Sequence, residues 1–547
     1  MLILQGEHFS MRKFGFVILC LVFCFNSSNF SKNTEQSLSF HPDSTYKELA
    51  LSIDSVLSNK NLGSTQLSIA IYSLNEHKFI YEKNPDLPLK PASLTKLLTS
   101  FATYSLVSDT FNLRTQIYTD DNNIDDGIVN GNLYILGGGD CLMKLADLDE
   151  LVQQIENLGI KKITGDIIAD GRLYNGDNNR FAYSGDNDEV EPVAPISALT
   201  LEQNRFRIFV NSRVTSQSPK IQIIPNAGNV QVVSNVKIYA PAPAKKKSSK
   251  KKTKKSSSNF KIYEQNYGDR IPLDVALLST YRNRISAHSK LKDDGTQIIY
   301  LSGTMPKNKN LGIQEFILSP NMSFASVFRN RLISNGINVS GKFDKVSKST
   351  VIDYPNMKKI AEFARPLNEL IKQMNKNSDN YLAENLFKFN GAIACKDTAT
   401  VVSAKRLYDS IYSSIVKPEQ LPILNDGSGL SRRNRASAYL LVNMLAKASQ
   451  SKIFSSYVAS LSIAGVDGTL AKRLRGTTAE NNLMGKTGTH RDVSGLAGYI
   501  HNLDGEIYLF AYIFNGPNVG LYKNLENELS LILSNHTKYK LNEKPSN

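Results

Sequence analysis

Lys90 to Val107 reads KPASLTKLLTSFATYSLV. A proline-led turn and a serine are followed by apolar residues at Leu94, Leu97, Leu98, Phe101 and Leu106. That spacing predicts a helix with most of its surface buried. Ser93 and Lys96 lie one helical turn apart at its head, so their side chains share a face. A serine at a helix start is ordinarily a cap, and a lysine three residues on is ordinarily solvated. Ser-x-x-Lys also recurs at Ser289/Lys292 and Ser449/Lys452. A lysine inside a buried helix is less easily dismissed, so the flanking sequence has to decide its meaning.

Working outward, QLSIAIYSL and HKFIYEKN alternate apolar and polar residues around Asn-Glu and predict a β-hairpin just before the serine. TYKELALSIDSVLSN (45–59) has helical periodicity. From about Thr110 to Pro355 the texture changes to short strands and turns, such as GNLYILGGGD, ITGDIIADG, FRIFVNSR and IQIIPNAG. One helix, FASVFRNRLISNGINVSG, stops at Asn335-Gly336 and leads into a short strand. Helices return in PLNELIKQMNKNSDNYLAENLFKFNG (366–391), near 399–415 and near 436–448. NLMGKTGTHRDVSGLAGYIHNLDGEIYLFAYIFN then reads as strands joined by a loop and an Asp-Gly turn, and an amphipathic helix at 523–534 closes the pattern. The expected fold class is α/β (α+β): an antiparallel sheet with helices on its faces, split at 40–109 and 356–540, with a large β-rich insertion at 110–355.

The length of 547 residues is too great for one core. Arg12 and Lys13 precede the apolar run FGFVILCLVFCF, which is too short to span a bilayer and reads as a secretory signal within 1–27. Export to the periplasm or cell envelope follows, with membrane association if the signal is retained. Only Cys141 and Cys395 would remain, which is no disulfide framework, and the seven histidines form no metal motif. The net charge of +15 is uneven: without the eight lysines of KKKSSKKKTKKSSS (245–258) it would be +7. That segment, within a loop at 243–259, has nothing to bury and reads as disordered. It is either a solvated loop or a contact for an anionic wall or membrane surface. It lacks the interleaved aromatics that stack nucleic-acid bases.

Three patterns occur in order: Ser93-x-x-Lys96, Ser378-Asp379-Asn380 between two helices, and Lys486-Thr487-Gly488-Thr489 on a strand. A serine hydroxyl needs a base near neutral pH. A buried Lys96 can lose its proton and supply that base. Ser378 can relay a proton to a leaving nitrogen, and Asn380 can hold a substrate backbone group. Lys486 and Thr487 suit a terminal carboxylate. The backbone N–H groups of Ser93 and Thr489 are the candidates for an oxyanion hole.

This set resembles the penicillin-recognising serine acyl-transferases. MNKNSDNYLAENLFK, NDGSGLSRRN, SIAGVDGTLAKRL and GKTGTHRDVSGLAGYI, with GNLYILGGGD and PISALTLEQN in the insertion, narrow it. They resemble the D-alanyl-D-alanine carboxypeptidase/endopeptidase family, the class C low-molecular-mass penicillin-binding proteins, over roughly residues 45 to 515. The lysine-rich loop, and Cys141 and Leu142 in LGGGDCLM, depart from that family's pattern. The resemblance implies a transpeptidase/β-lactamase-like domain that hydrolyses D-Ala-D-Ala ends or D,D cross-links of peptidoglycan stem peptides through an acyl-serine. It implies β-lactams as acylating inhibitors and no cofactor or metal. It places the family's catalytic residues on Ser93, Lys96, Ser378 and Asn380, and its Lys-Thr-Gly on Lys486, Thr487 and Gly488. Two alternatives stand beside it. A serine β-lactamase would need a deacylating carboxylate, for which Glu419 is a candidate. A non-catalytic wall-binding protein would not need the serine–lysine pair.

Overall fold

The computed structural model describes residues 46–174, 178–185, 191–213, 218–240, 285–395 and 401–539. The expected signal segment and lysine-rich loop lie outside them.

Two distant parts of the chain build one six-stranded antiparallel sheet. Its order is Ser462–Ile463, Met484–His490, Val493–His501, Ile507–Asn515, Gln66–Ser73 and Lys78–Lys83. The N-terminal hairpin pairs with the C-terminal meander along Gln66–Ser73, where Ala70 faces Ala511. Alternation along each strand sends side chains to opposite faces. Ile69, Ile71 and Phe510 pack on helices Lys47–Ser58 and Val519–Asn535, through Leu49, Ile53, Leu525 and Leu529. Ala70, Tyr72, Leu509 and Ala511 turn to the other face. There helices Thr95–Leu106, Leu367–Asn377, Asn380–Cys395, Val401–Tyr412 and Ala438–Ser449 form the second layer. Helices on both faces explain why the central strands read as continuous apolar runs. Leu94, Leu97 and Leu98 are fully buried in this layer, and burial of each stabilises the helix head by about 1.5–3 kcal/mol.

Between the two parts, a separate apolar core runs from Ile117 to Ala361. It contains a five-stranded sheet in the order Phe343–Lys345, Ile167–Asp170, Leu133–Gly137, Asn112–Thr119 and Lys358–Pro366. It also contains two three-stranded antiparallel or mixed units, centred on Arg205–Asn211 and Gln297–Pro306.

The sequence reading of 110–355 as strands and turns with a single helix needs correction. LADLDELVQQIEN forms a second helix, Leu145–Asn157, burying Leu148, Leu151, Val152 and Ile155. Leu133–Gly137 pairs parallel to Ile167–Asp170. A parallel pair requires a crossover, and this helix is it. Lys358–Pro366 pairs with Asn112–Thr119, so the inserted sheet extends past residue 355. At that junction Arg365 bonds Asp140 at 3.0 Å and also engages Asp147. Burial raises the Asp140 carboxyl to about 6 against the lowering effect of Arg365.

Candidate active site

Ser93 sits on a 3-10 turn, Ala92–Leu94, that runs directly into helix Thr95–Leu106. Ala92 has φ 47°, a left-handed conformation that costs a residue with a Cβ about 1 kcal/mol or more. The turn lifts Ser93 to partial exposure while Lys96, one turn deeper, is fully buried. Lys96 Nζ lies 3.0 Å from Ser93 Oγ, 2.7 Å from Asn380 Oδ1 and 2.7 Å from the Ser428 carbonyl. These are three acceptors for the three N–H donors of an ammonium. The amide and the carbonyl oxygens can only accept. In the neutral amine they hold the two remaining N–H groups and leave the lone pair facing the Ser93 hydroxyl. Burial lowers the Lys96 pKa to about 8, opposed by Asp426, Glu384, Asp379 and Glu191. Burial thus brings loss of the Lys96 proton much closer to neutral pH than it is for an exposed lysine.

Ser378 ends helix Leu367–Asn377 in a left-handed conformation, φ 58°. Asp379 then caps the next helix by accepting from the Leu382 N–H at 3.1 Å. One strained residue between two helices thus presents the Ser378 hydroxyl, while Asp379 keeps Asn380 at the head of the second helix. Asn380 Nδ2 donates to Glu191 at 2.9 Å. Lys486 Nζ donates to Ser378 Oγ at 2.8 Å and to the Thr487 carbonyl at 2.9 Å. Burial, followed by the charge of Lys96, holds the Lys486 pKa well below the usual range. Thr487 Oγ1 donates to Thr469 Oγ1 at 2.9 Å, and Thr489 is exposed on the strand. A Cβ on Gly488 would fall 2.6 Å from the Pro91 carbonyl oxygen. Only glycine lets this strand approach the serine turn so closely.

Ser93, Lys96, Ser378, Asn380, Lys486, Thr487, Gly488 and Thr489 therefore converge on one place. Of the other Ser-x-x-Lys serines, the two that are described do not join them: Ser289 is on strand Ile285–Leu291 and Ser449 ends helix Ala438–Ser449. Glu419 is exposed on the turn Pro418–Gln420, whose Gln420 bonds Asp86 at 2.6 Å. Cys141 is a buried free thiol. Among the described residues no His, Cys, Asp and Glu side chains are grouped to hold a metal ion.

Sequence reasoning missed the wall behind Lys96. NDGSGLSRRN folds into a loop whose backbone is held by two buried carboxylates. Asp426 accepts from the N–H groups of Gly429 at 2.9 Å and Ser431 at 2.6 Å. Glu384 accepts from the Ser428 N–H at 2.9 Å. Nothing in the spacing of Glu384 announces this, because its partners are some forty residues away. The glycine-rich run with an aspartate was the available signal. Gly429 has φ 83°, and a Cβ there would stand 1.9 Å from the Ala92 carbonyl oxygen. Gly429→Ala is expected to destabilise the fold by about 2–4 kcal/mol and to slow acylation, as thermal melting and penicillin labelling would measure.

The D-Ala-D-Ala carboxypeptidase 3 (S13) family model matches residues 49–264 and 274–536, most of the chain. The chain belongs to that family. It is a serine-type D-Ala-D-Ala carboxypeptidase. It is 25% identical over 475 residues to a D-alanyl-D-alanine carboxypeptidase of Actinomadura sp., covering 86% of this chain and 81% of the relative. It is 23% identical over 457 residues to the D-alanyl-D-alanine carboxypeptidase DacB of Haemophilus influenzae, covering 82% and 85%. The crystal structure of penicillin binding protein 4 from Haemophilus influenzae matches with a TM-score of 0.66 at 21% identity. That match covers 87% of this chain and 99% of the other, and it shows that this S13 carboxypeptidase has the same fold.

Proposed function

We propose that this carboxypeptidase works through an acyl-enzyme on Ser93, with Lys96 as the base, in a domain split around the insertion. Ser93 Oγ attacks the carbonyl carbon of the penultimate D-alanine, and its proton passes to Lys96 Nζ. The Ser93 and Thr489 N–H groups stabilise the oxyanion. As the C–N bond breaks, Ser378 delivers a proton to the leaving nitrogen, drawn from the chain of donors that includes Lys486. Lys486 and Thr487 hold the terminal carboxylate, and Asn380 holds a backbone amide of the stem peptide. Water then hydrolyses the ester. A β-lactam carbonyl enters by the same attack, and its ring-opened product remains attached. D,D cross-links present the same bond to the same serine, so endopeptidase activity belongs to this reading. Export of the protein through its N-terminal segment places it beside peptidoglycan. The observation that carries the mechanism is the trio of acceptors around Lys96, which leaves its lone pair for Ser93.

The test uses protein lacking residues 1–27, a soluble pentapeptide ending in D-Ala-D-Ala and a purified D,D-cross-linked dimer. Release of D-alanine from the first, or of monomers from the second, supports the reading. Rapid destruction of penicillin without peptide hydrolysis would move a β-lactamase role forward. Inert protein with intact penicillin would leave a wall-binding module. Deleting residues 245–258 is expected to leave hydrolysis of the soluble peptide unchanged. Lower retention on isolated cell walls by that deletion would identify the lysine run as a tether.

A further inference from the structure

A five-residue helix of the inserted segment, Arg180–Ser184, reaches the back of the active site. Asn179 caps it, with Oδ1 accepting from the Phe181 N–H at 3.0 Å, and Gly185 ends it in a left-handed conformation. Arg180 and Asp426 are both almost fully buried, and Arg180 Nη1 donates to Asp426 Oδ2 at 3.0 Å. The Nε and Nη2 atoms of Arg180 are buried with no hydrogen-bond partner among the described residues. Arg180 thus sets a buried positive charge directly against the Asp426 carboxylate. Tyr183 donates to Glu384 Oε2 at 2.7 Å.

Each carboxylate is thus held on two sides. On one side it grips the loop: Asp426 takes the Gly429 and Ser431 N–H groups, and Glu384 takes the Ser428 N–H. On the other it is met by one residue of the inserted helix. The loop in turn supplies the Ser428 carbonyl to Lys96 and the Gly427 carbonyl to Thr99 Oγ1 at 2.7 Å. The path from Arg180 to Lys96 is continuous in hydrogen bonds.

We propose that Arg180 and Tyr183 are positioning residues for acylation: through Asp426 and Glu384 they hold the Gly427–Ser431 loop that anchors Lys96. The insertion is then part of the catalytic apparatus. This rests on the reading of Lys96 as the base. Among the described residues, the charged and titratable groups that act on or beside Lys96 include Asp426, Glu384, Asp379, Glu191, Lys486 and His490. Two of these six are carboxylates that the inserted helix engages directly. Without the Arg180 cation, the Asp426 carboxylate loses the partner that fixes its position, so the loop N–H groups it accepts from are held less rigidly and its uncompensated charge attracts the Lys96 ammonium more strongly.

The experiment compares Arg180→Met, Arg180→Lys and Tyr183→Phe with the unaltered enzyme. The acylation rate by a chromogenic cephalosporin is followed from pH 6 to 10. Hydrogen exchange of residues 426–431 is measured in the same samples. Arg180→Met is expected to slow acylation about ten-fold or more, to move the rising limb of the pH profile upward, and to speed loop exchange. Arg180→Lys is expected to return the limb towards its original position. Tyr183→Phe changes no charge and is expected to give a smaller loss with faster loop exchange. It carries the test if Arg180→Met does not fold. A loss equal at every pH, with the limb and the loop exchange unmoved, would overturn the proposal. Should the unaltered enzyme fail to acylate while loop exchange still depends on Arg180, the acyl-enzyme reading has failed and the clamp stands.

Discussion

Ser93→Ala is expected to take no covalent label from a fluorescent penicillin, where the unaltered protein is expected to be labelled and to keep its label. The substitution removes one oxygen from a partly exposed residue. The buried neighbours Leu94, Leu97 and Leu98 hold the turn without it. Lys96 would lose one of three acceptors and keep Asn380 Oδ1 and the Ser428 carbonyl. The fold and melting temperature should therefore change little. The other serine that meets a lysine here, Ser378 with Lys486 at 2.8 Å, remains in the variant and is expected to take no label. Stable labelling of the alanine variant would place the nucleophile elsewhere and remove the proposed chemistry.

Lys96→Ala should fold and yet lose acylation by roughly 10²–10⁴-fold, the contribution of a positioned general base. The pH dependence separates this role from a purely electrostatic one. Burial lowers the Lys96 pKa to about 8 despite four carboxylates that raise it. The neutral amine is the active form, so the rate should rise as pH climbs through about 8 and level off above it. Below that pH the ammonium cannot accept the Ser93 proton. In Lys96→Ala this limb should vanish, leaving a slow reaction dependent on hydroxide. Circular dichroism would confirm the fold, since a buried cation is a cost to the native state as well as a partner within it. Near-normal acylation by the variant would remove Lys96 from the role of base.

The Arg180 proposal gives the insertion a place in that same proton transfer. An inserted segment that only recognised substrate would alter peptide hydrolysis and leave the reaction with a small β-lactam untouched. One that also holds the loop behind Lys96 alters both.

Periodicity and chemistry along the chain carried much of this molecule. The apolar spacing of Leu94, Leu97, Leu98 and Phe101 announced a buried helix, and a buried helix made Lys96 a candidate base. Alternation in QLSIAIYSL announced a strand, whereas the close approach at Gly488 became visible only in the structure. The helix and the strand are local features, because each follows from the 3.6-residue or the 2-residue repeat. The helix Leu145–Asn157 had the same signal, since Leu148, Leu151, Val152 and Ile155 recur at helical spacing. It went unread within a segment otherwise rich in strands.

What the sequence by itself determined is the inventory: a serine and a lysine one turn apart, a second serine and an asparagine between helices, and a lysine on a strand. Only the tertiary structure decided which backbone groups complete them. The Ser428 carbonyl, Glu384, Asp426 and Arg180 carry no motif of their own, because hydrogen bonds between residues hundreds of positions apart leave no periodic trace in either segment. The protonation state of Lys96 belongs to the same class. It is set by the exclusion of water and by four carboxylates gathered from three parts of the chain, and that balance exists only after the chain has folded.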